Sequence, residues 1–506
     1  MSKLFSIFLF FLVLPNVEAQ IVSLQGTATE YKGKRVAVFA VEDYISEKRK
    51  LLQSAEISDD GKFLITFPVS ETQMIIIHIN RVEAVMYAEP GKTYRFVFPS
   101  DATADIKRFD KTEVELFFEE LPNDDLNVLI RKFNSDFTQF ISEHFYDFAV
   151  GDYRNGEMYL KKIGAKKMKS DIYKTSSDDD SLKRKVTPVF NALVVEFEEK
   201  CHQAYGDNEN DFFSDYMEFS LGEIELIAGM NRIKFYNKHF ISRNLPLNNP
   251  AFMKCFHLYY DNFLLGHLSE KQARINKAIN VERDLNALHK IFVNDSTCLS
   301  EQIRTLALIK GLKDVYNNKS FDRTGIERTL KSANNSDQRI NSIAESTYSQ
   351  LTKAREGHQL EVFSAINEKG EKWTSAEFEE APVYIMFFAT WNSASIKELQ
   401  VMEKWHEKYG RDVQFYAVSL DDDYELFKKY LNEHRQQKFN FLYGQADPLI
   451  SEKCSVYSIP HAVMLDSNGK TMFAFARKPS EGIQAEFEKI ALLNKQQKQG
   501  TKTWKD

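Results

Sequence analysis

The chain has 506 residues, is 43% hydrophobic and carries a formal net charge of −7. That length exceeds what one hydrophobic core covers, so about two to four domains are expected. The mild acidity leaves no basic face or tail for nucleic acid, and 40 Phe with 22 Tyr are enough aromatics for several cores.

The first residues read as a targeting segment, 1–19. Lys3 gives a short positive stretch, Leu4 to Leu14 an apolar one, and Val17-Glu18-Ala19 a small-x-small cleavage site, so cleavage after Ala19 leaves Gln20 first. The apolar stretch is too short to span a bilayer of about 30 Å. No cysteine follows the site for lipidation, and no later stretch has the length of a membrane helix. The expectation is an exported chain of the periplasm or cell envelope with no membrane span after cleavage.

Residues 20–105 are expected to form a small antiparallel β-sandwich. Arg35–Val41, Phe63–Phe67, Gln73–Ile79 and Tyr94–Phe98 are short and rich in β-branched and aromatic residues. Turn signals at Lys32-Gly33, Asp59-Asp-Gly-Lys62 and Glu89-Pro-Gly-Lys92 separate them. From 106 to 355 the pattern is helical. Phe133, Phe137, Phe140, Ile141, Phe145 and Phe148 recur at three- and four-residue steps, as do Ile303, Leu306, Ile309 and Leu312, and such stripes read as core. Ala251–Leu268, Ser300–Tyr316 and Gln338–Arg355 are predicted helices, with Asn248-Asn-Pro250 a helix start. Ser176-Ser-Asp-Asp-Asp-Ser181 is a polar loop without the glycine and final glutamate of a calcium loop. Cys201, Cys255, Cys298 and Cys454 include no C-x-x-C pair and no metal-ligand spacing with histidine, so no metal or cofactor is expected. Most read as small buried apolar residues, with any pairing open.

Residues 356–495 alternate strand and helix, and 496–506 form a polar tail, frayed from Lys495. Glu361–Ile366 and Lys372–Ser375 make an opening hairpin around Lys369-Gly370. Pro382–Ala389 is apolar throughout, as a strand buried on both faces should be. Asn392–Tyr409 is helical, with Ile396, Leu399, Met402, Trp405 and Tyr409 on one face. Val413–Leu420 is a strand, Asp421-Asp-Asp423 caps a helix to Leu431, His461–Asp466 and Thr471–Ala476 are strands about Ser467–Lys470, and Ser480–Leu493 closes the domain. Four motifs in this order, Phe387-Phe-Ala-Thr-Trp391, Val418-Ser-Leu-Asp421, Tyr457-Ser-Ile-Pro460 and Met464-Leu-Asp-Ser-Asn-Gly-Lys470, resemble the TlpA-like branch of the thioredoxin fold. Asp60-Gly-Lys-Phe63 and Pro90-Gly-Lys-Thr-Tyr94 resemble the β-domain that often precedes a thioredoxin domain in Bacteroidota envelope proteins.

The resemblance implies a cis Pro460, flanked by Ile459 and His461, facing the loop at Trp391-Asn-Ser-Ala-Ser395. It also places Asn392 and Ser395 at the family's two cysteine positions, with Ser393-Ala394 for the usual Gly-Pro and Met386 where thioredoxin keeps a buried Asp. Disulfide exchange needs a thiolate, so ordinary C-x-x-C catalysis is excluded and no catalytic residue is assigned. Asn392 and Ser395 suit a helix cap, and Ser395-Ile-Lys-Glu398 matches a capping box. Three sharper readings stand beside that one: a peptide or anion bound at the helix start and cis-proline loop, a Ser–His pair of Ser393 or Ser395 with His461, and Cys454 as a lone redox thiol. The reading adopted is a multidomain envelope protein with a redox-degenerate thioredoxin-like domain, a non-catalytic module for protein or peptide partners. The alternative is a thiol oxidoreductase or antioxidant working through Cys454 or a partner's cysteines.

Overall fold

The computed structural model describes residues 19–100, 111–144, 180–241, 244–378 and 381–500. The targeting segment to residue 18, Phe145, Phe148, Ser176 to Asp179 and the tail beyond Gly500 lie outside the described residues. Three parts follow one another: strands, helices, and a mixed α/β domain.

The first part has nine described strands: β1 Gln20–Thr27, β2 Arg35–Val41, β3 Arg49–Glu56, β4 Lys62–Val69, β5 Gln73–Ile79, β6 Val82–Ala88, β7 Thr93–Val97, β8 Thr112–Val114 and β9 Phe117–Phe118. They form two sheets, β4-β1-β7-β9 and β3-β2-β5-β6-β8. Strand β4 alternates strictly, burying Phe63, Ile65, Phe67 and Val69 and exposing the residues between them. These side chains and Tyr94 and Phe96 meet Val36, Val38, Ile75, Ile77 and Met86 of the other sheet in one core. The expected purely antiparallel sandwich is corrected to a mixed one, because β1 pairs with β7 and β6 with β8 in parallel. A parallel neighbour needs a crossover, and the chain between β1 and β7 supplies it by building most of the second sheet. The sheets also continue past residue 105, since β8 and β9 add an edge to each. Strands β1, β3 and β6 carry no sequence signal of their own. Arg49-Lys-Leu-Leu-Gln-Ser-Ala-Glu56 is half-exposed at an edge, and Val82-Glu-Ala-Val-Met-Tyr-Ala88 has a helix-former's composition.

The helices of the second part are α1 Leu126–Glu143, α2 Asp180–Tyr205, α3 Asp211–Ile227, α4 Arg232–His239, α5 Pro250–Tyr259, α6 Ser269–Lys277, α7 Leu285–Phe292, α8 Glu301–Asp314, α9 Arg323–Lys331 and α10 Gln338–Thr352. Pro250 opens α5 behind an Asn249 cap that accepts from the N–H groups of Ala251 and Phe252. The predicted helix over 251–268 stops at Tyr259, and Asn262 then takes a left-handed φ of 53°, which an asparagine tolerates. Helix α8 is buried all round from Ile303 to Leu312, so it is the axis of this part and not an amphipathic surface helix. The stripe on α1 packs as expected: Phe133, Phe140 and Ile141 are buried and Phe137 leans on them.

The α/β domain has β10 Ser364–Asn367, β11 Lys372–Thr374, β12 Val383–Phe388, β13 Gln414–Ser419, β14 Asn440–Tyr443, β15 His461–Leu465 and β16 Thr471–Phe473 in the order β11-β10-β14-β13-β12-β15-β16. Its helices are α11 Ser393–Tyr409, α12 Tyr424–Glu433, α13 Ile450–Lys453 and α14 Gln484–Gly500. Strand β12 lies between β13 and β15 with every residue buried. It sends Tyr384, Met386 and Phe388 to Leu399 and Met402 of α11, and Val383, Ile385 and Phe387 to Phe363 and Cys454 on the other face. The four-residue β14 was not foreseen, being too short to show a period. The frayed tail expected from Lys495 is corrected: the backbone of α14 stays helical to Gly500.

Ion pairs tie the parts together. Arg81 meets Asp422 at 2.8 Å, Lys34 meets Asp423 at 3.3 Å, and Arg49 meets Glu452 at 3.6 Å. From the helices, His257 pairs with the Tyr44 carbonyl at 3.0 Å, and Lys313 reaches the Ile45 carbonyl at 2.5 Å.

Two consequences are measurable. A Cβ added to Gly325 would lie 2.4 Å from the Ile279 carbonyl oxygen, so Gly325→Ala should cost about 1–3 kcal/mol of stability in denaturant unfolding. Burial lowers the pKa of His257 to about 4, with Lys310 adding to the shift. Its folded pKa lies below its unfolded one, so the unfolded chain binds the extra proton. Stability is full above about pH 6.5 and falls as pH drops toward 4, by up to about 1.4 kcal/mol per pH unit for this group. A pH series of thermal melts should show His257→Gln flattening that acid limb.

Candidate functional site

The loop at Trp391–Ser395 and the loop at Ile459–His461 lie where two strands end side by side. Phe387 of β12 pairs with His461 of β15, so the turn after β12 and the loop before β15 emerge together. The Ile459–Pro460 peptide in that loop is cis, as the resemblance implies.

The turn after β12 is fastened from beneath. Asp421 follows β13 and is wholly buried, with its carboxylate accepting the Thr390 N–H at 3.0 and 3.1 Å and the Thr390 hydroxyl at 2.9 Å. The Ser419 hydroxyl donates to it at 2.6 Å. Burial raises its pKa although these bonds favour the charged form. The three aspartates therefore do three different things, and the helix cap expected of the run falls to one of them. Asp421 holds the site turn, Asp422 pairs with Arg81 of the sandwich, and Asp423 alone caps α12, accepting the Glu425 N–H at 2.8 Å. Sequence reading missed this because only the fold shows which way each side chain leaves the strand end.

Trp391 and Asn392 are half-buried, Ser393 and Ala394 exposed. Asn392 is the N-cap of α11, and its Oδ1 accepts the Ser395 N–H at 2.8 Å. The capping box expected at Ser395–Glu398 does not form. Asn392 takes the cap, which puts Ser395 three residues into the helix, while Glu398 accepts from the Ser480 N–H at 2.9 Å and hydroxyl at 2.6 Å. Ser395 is fully buried, and its Oγ has no hydrogen-bond partner.

His461 is buried, and its Nε2 has no partner either, so it is not bonded to Ser395. Burial lowers its pKa, and a backbone bond with Ala474 occupies the ring. A Ser–His pair of Ser393 or Ser395 with His461 draws no support from this geometry, since neither Ser395 Oγ nor His461 Nε2 has a hydrogen-bond partner. The four cysteines are free and buried. Cys454 is 2% exposed, burial raises its thiol pKa, and it lies across the sheet from α11. The neutral thiol it favours is a poor nucleophile. Burial likewise pushes Cys201 and Cys298 up to about 12. Among the described residues no cluster of His, Cys, Asp or Glu has metal-holding geometry, and no helix is long and apolar enough to cross a membrane.

What the site does present is an aromatic shelf. Tyr457, 69% exposed, and Phe475, 63% exposed, stack at 6.4 Å and 13° from parallel, with the His461 ring edge-on to Phe475 at 5.4 Å. Sequence reading placed Tyr457 only in the motif before Pro460 and did not mark Phe475.

A family model described as thioredoxin-like matches residues 380–471. The C-terminal domain is thioredoxin-like. Among solved structures, a putative thiol-disulfide oxidoreductase from Bacteroides vulgatus is 26% identical, covering 28% of this chain and 99% of its own, with a TM-score of 0.26. The C-terminal domain of a putative thiol-disulfide oxidoreductase from Bacteroides thetaiotaomicron is 24% identical over 28% of this chain and 97% of its own, with a TM-score of 0.25. A putative thiol:disulfide interchange protein DsbE from Chlorobium tepidum is 20% identical over 27% and 97%, with a TM-score of 0.24. No curated protein matches the chain.

Two substitutions separate the cap from the anchor of the thioredoxin-like site. Asn392→Ala should cost about 1 kcal/mol and speed amide exchange in the first turn of α11. Asp421→Ala should cost about 2–3 kcal/mol, since it strands the Thr390 N–H and the Ser419 hydroxyl, whereas Asp421→Asn should cost less. Denaturant unfolding checks both.

Proposed function

We propose that this is a TlpA-like, exported envelope protein whose thioredoxin-like domain binds a protein or peptide partner without catalysing thiol–disulfide exchange. The observation that carries this reading is the occupancy of the two positions at the start of α11. Asn392 is engaged as a cap and Ser395 is buried, so neither offers a nucleophile. A helix start beside a cis-proline loop still offers backbone groups to an extended chain, and exposed rings supply the apolar contact such a chain needs. The targeting segment at residues 1–19 supports export.

Insulin reduction by the purified protein tests the chemistry. Turnover should stay at background, and mass-resolved thiol trapping should recover no mixed disulfide. Putting Asn392→Cys and Ser395→Cys together should restore measurable reduction if the scaffold alone survives from a redox ancestor. Wild-type turnover that disappears in Cys454→Ser would replace this reading with a redox one.

A further inference from the structure

Tyr457 serves two surfaces. Its ring completes the aromatic shelf with Phe475, and it also walls a pocket of about 290 Å³ at which all three parts of the chain meet. The sandwich contributes Ser46 and Glu47, the helices Lys313, Thr347 and Lys353, and the thioredoxin-like domain Glu452.

The charges in this pocket do not all cancel locally. Glu47 is paired with Lys313 at 3.0 Å, and Glu452 with Arg49 at 3.6 Å and Lys111 at 3.9 Å. Lys353 has no carboxylate within ion-pair distance among the described residues. Its ammonium donates to the Glu452 carbonyl at 3.2 Å, which uses one of three donors. Burial lowers its pKa against the opposing pull of Glu452 and Glu361. Thr347 lines the same pocket, is 1% exposed, and its Oγ1 has no hydrogen-bond partner. A half-buried ammonium and an orphaned hydroxyl in one pocket are complementary to an anionic oxygen acceptor.

We infer that this pocket takes the C-terminal carboxylate of an extended peptide whose last side chain lies against Tyr457 and Phe475. The inference rests on the peptide-binding function proposed above and names the feature of the peptide that is read. A chain end is taken over an internal acidic residue because its carboxylate sits on the backbone, so no side-chain length has to fit between Ser46, Lys313 and Tyr457 in a pocket of about 290 Å³.

The test is retention of three octapeptide pools on the immobilised protein, read by mass spectrometry. All three are degenerate at the first six positions. One ends in Phe as the free acid, one in Phe carboxamide, and one carries Glu as its last residue with the end amidated. The free-acid pool should be retained about 10-fold over the Phe amide, a difference of the size one charge-assisted bond gives. Lys353→Gln should erase that preference, Thr347→Val should reduce it, Lys353→Arg should keep it, and thermal melts should show all three variants folded. Equal retention of acid and amide, with Tyr457→Ser releasing both, overturns the carboxylate assignment and leaves peptide binding standing. Preference for the amidated Glu pool overturns the chain-end assignment. Retention of no pool overturns this inference together with the peptide-binding reading.

Discussion

The carboxylate of Asp421 is the point on which the site depends. A turn between a buried strand and a helix has backbone groups that neither element satisfies, and here one side chain from the neighbouring strand end takes them up. Because the carboxylate has no exposure, losing it would leave donors stranded in a place water does not reach. The same three-residue run fixes two further things. Asp422 fastens the sandwich through Arg81, and Asp423 starts α12, so the site turn, the neighbouring domain and the next helix share one stretch of backbone.

That scaffold holds the turn and the helix start without any cysteine side chain. In a thiol oxidoreductase the helix start lowers the pKa of the attacking cysteine by offering it N–H donors and the positive end of the dipole. Here the Asn392 amide oxygen takes one of those N–H groups, so a neutral group caps the helix. Nothing in the strand order, the cis peptide or the Asp421 anchor requires sulfur. The surface there combines backbone donors, a cis-proline loop and two exposed rings.

The sandwich and the helices are more than spacers in this arrangement. Arg49 is held between Glu83, whose pKa the Arg49 and Lys111 partners bring down to about 2 against the effect of burial, and Glu452 on the α13 segment that leads to the cis-proline loop. Lys313 carries the helical axis α8 to the sandwich turn at Ile45–Glu47. Both loops of the thioredoxin-like site are thus braced by a neighbour, one through Asp422 and one through Glu452.

Periodicity and turn chemistry were enough to read much of this from the chain. Four sandwich strands, the α1 and α8 stripes, the Pro250 helix start, the buried β12 and the motifs around Trp391 and Pro460 are local patterns, and local patterns are written in consecutive residues. That Asn392 and Ser395 carry no thiol is likewise a matter of residue identity. Only the tertiary structure decided the rest. Which aspartate of the run faces inward, that Asn392 and not Ser395 caps α11, that Ser395 and His461 stay unbonded, and that β1 runs parallel to β7 all depend on contacts between residues far apart in the chain. The pocket at Thr347 and Lys353 is the clearest case: its walls come from three parts of the chain, and no window of sequence contains them.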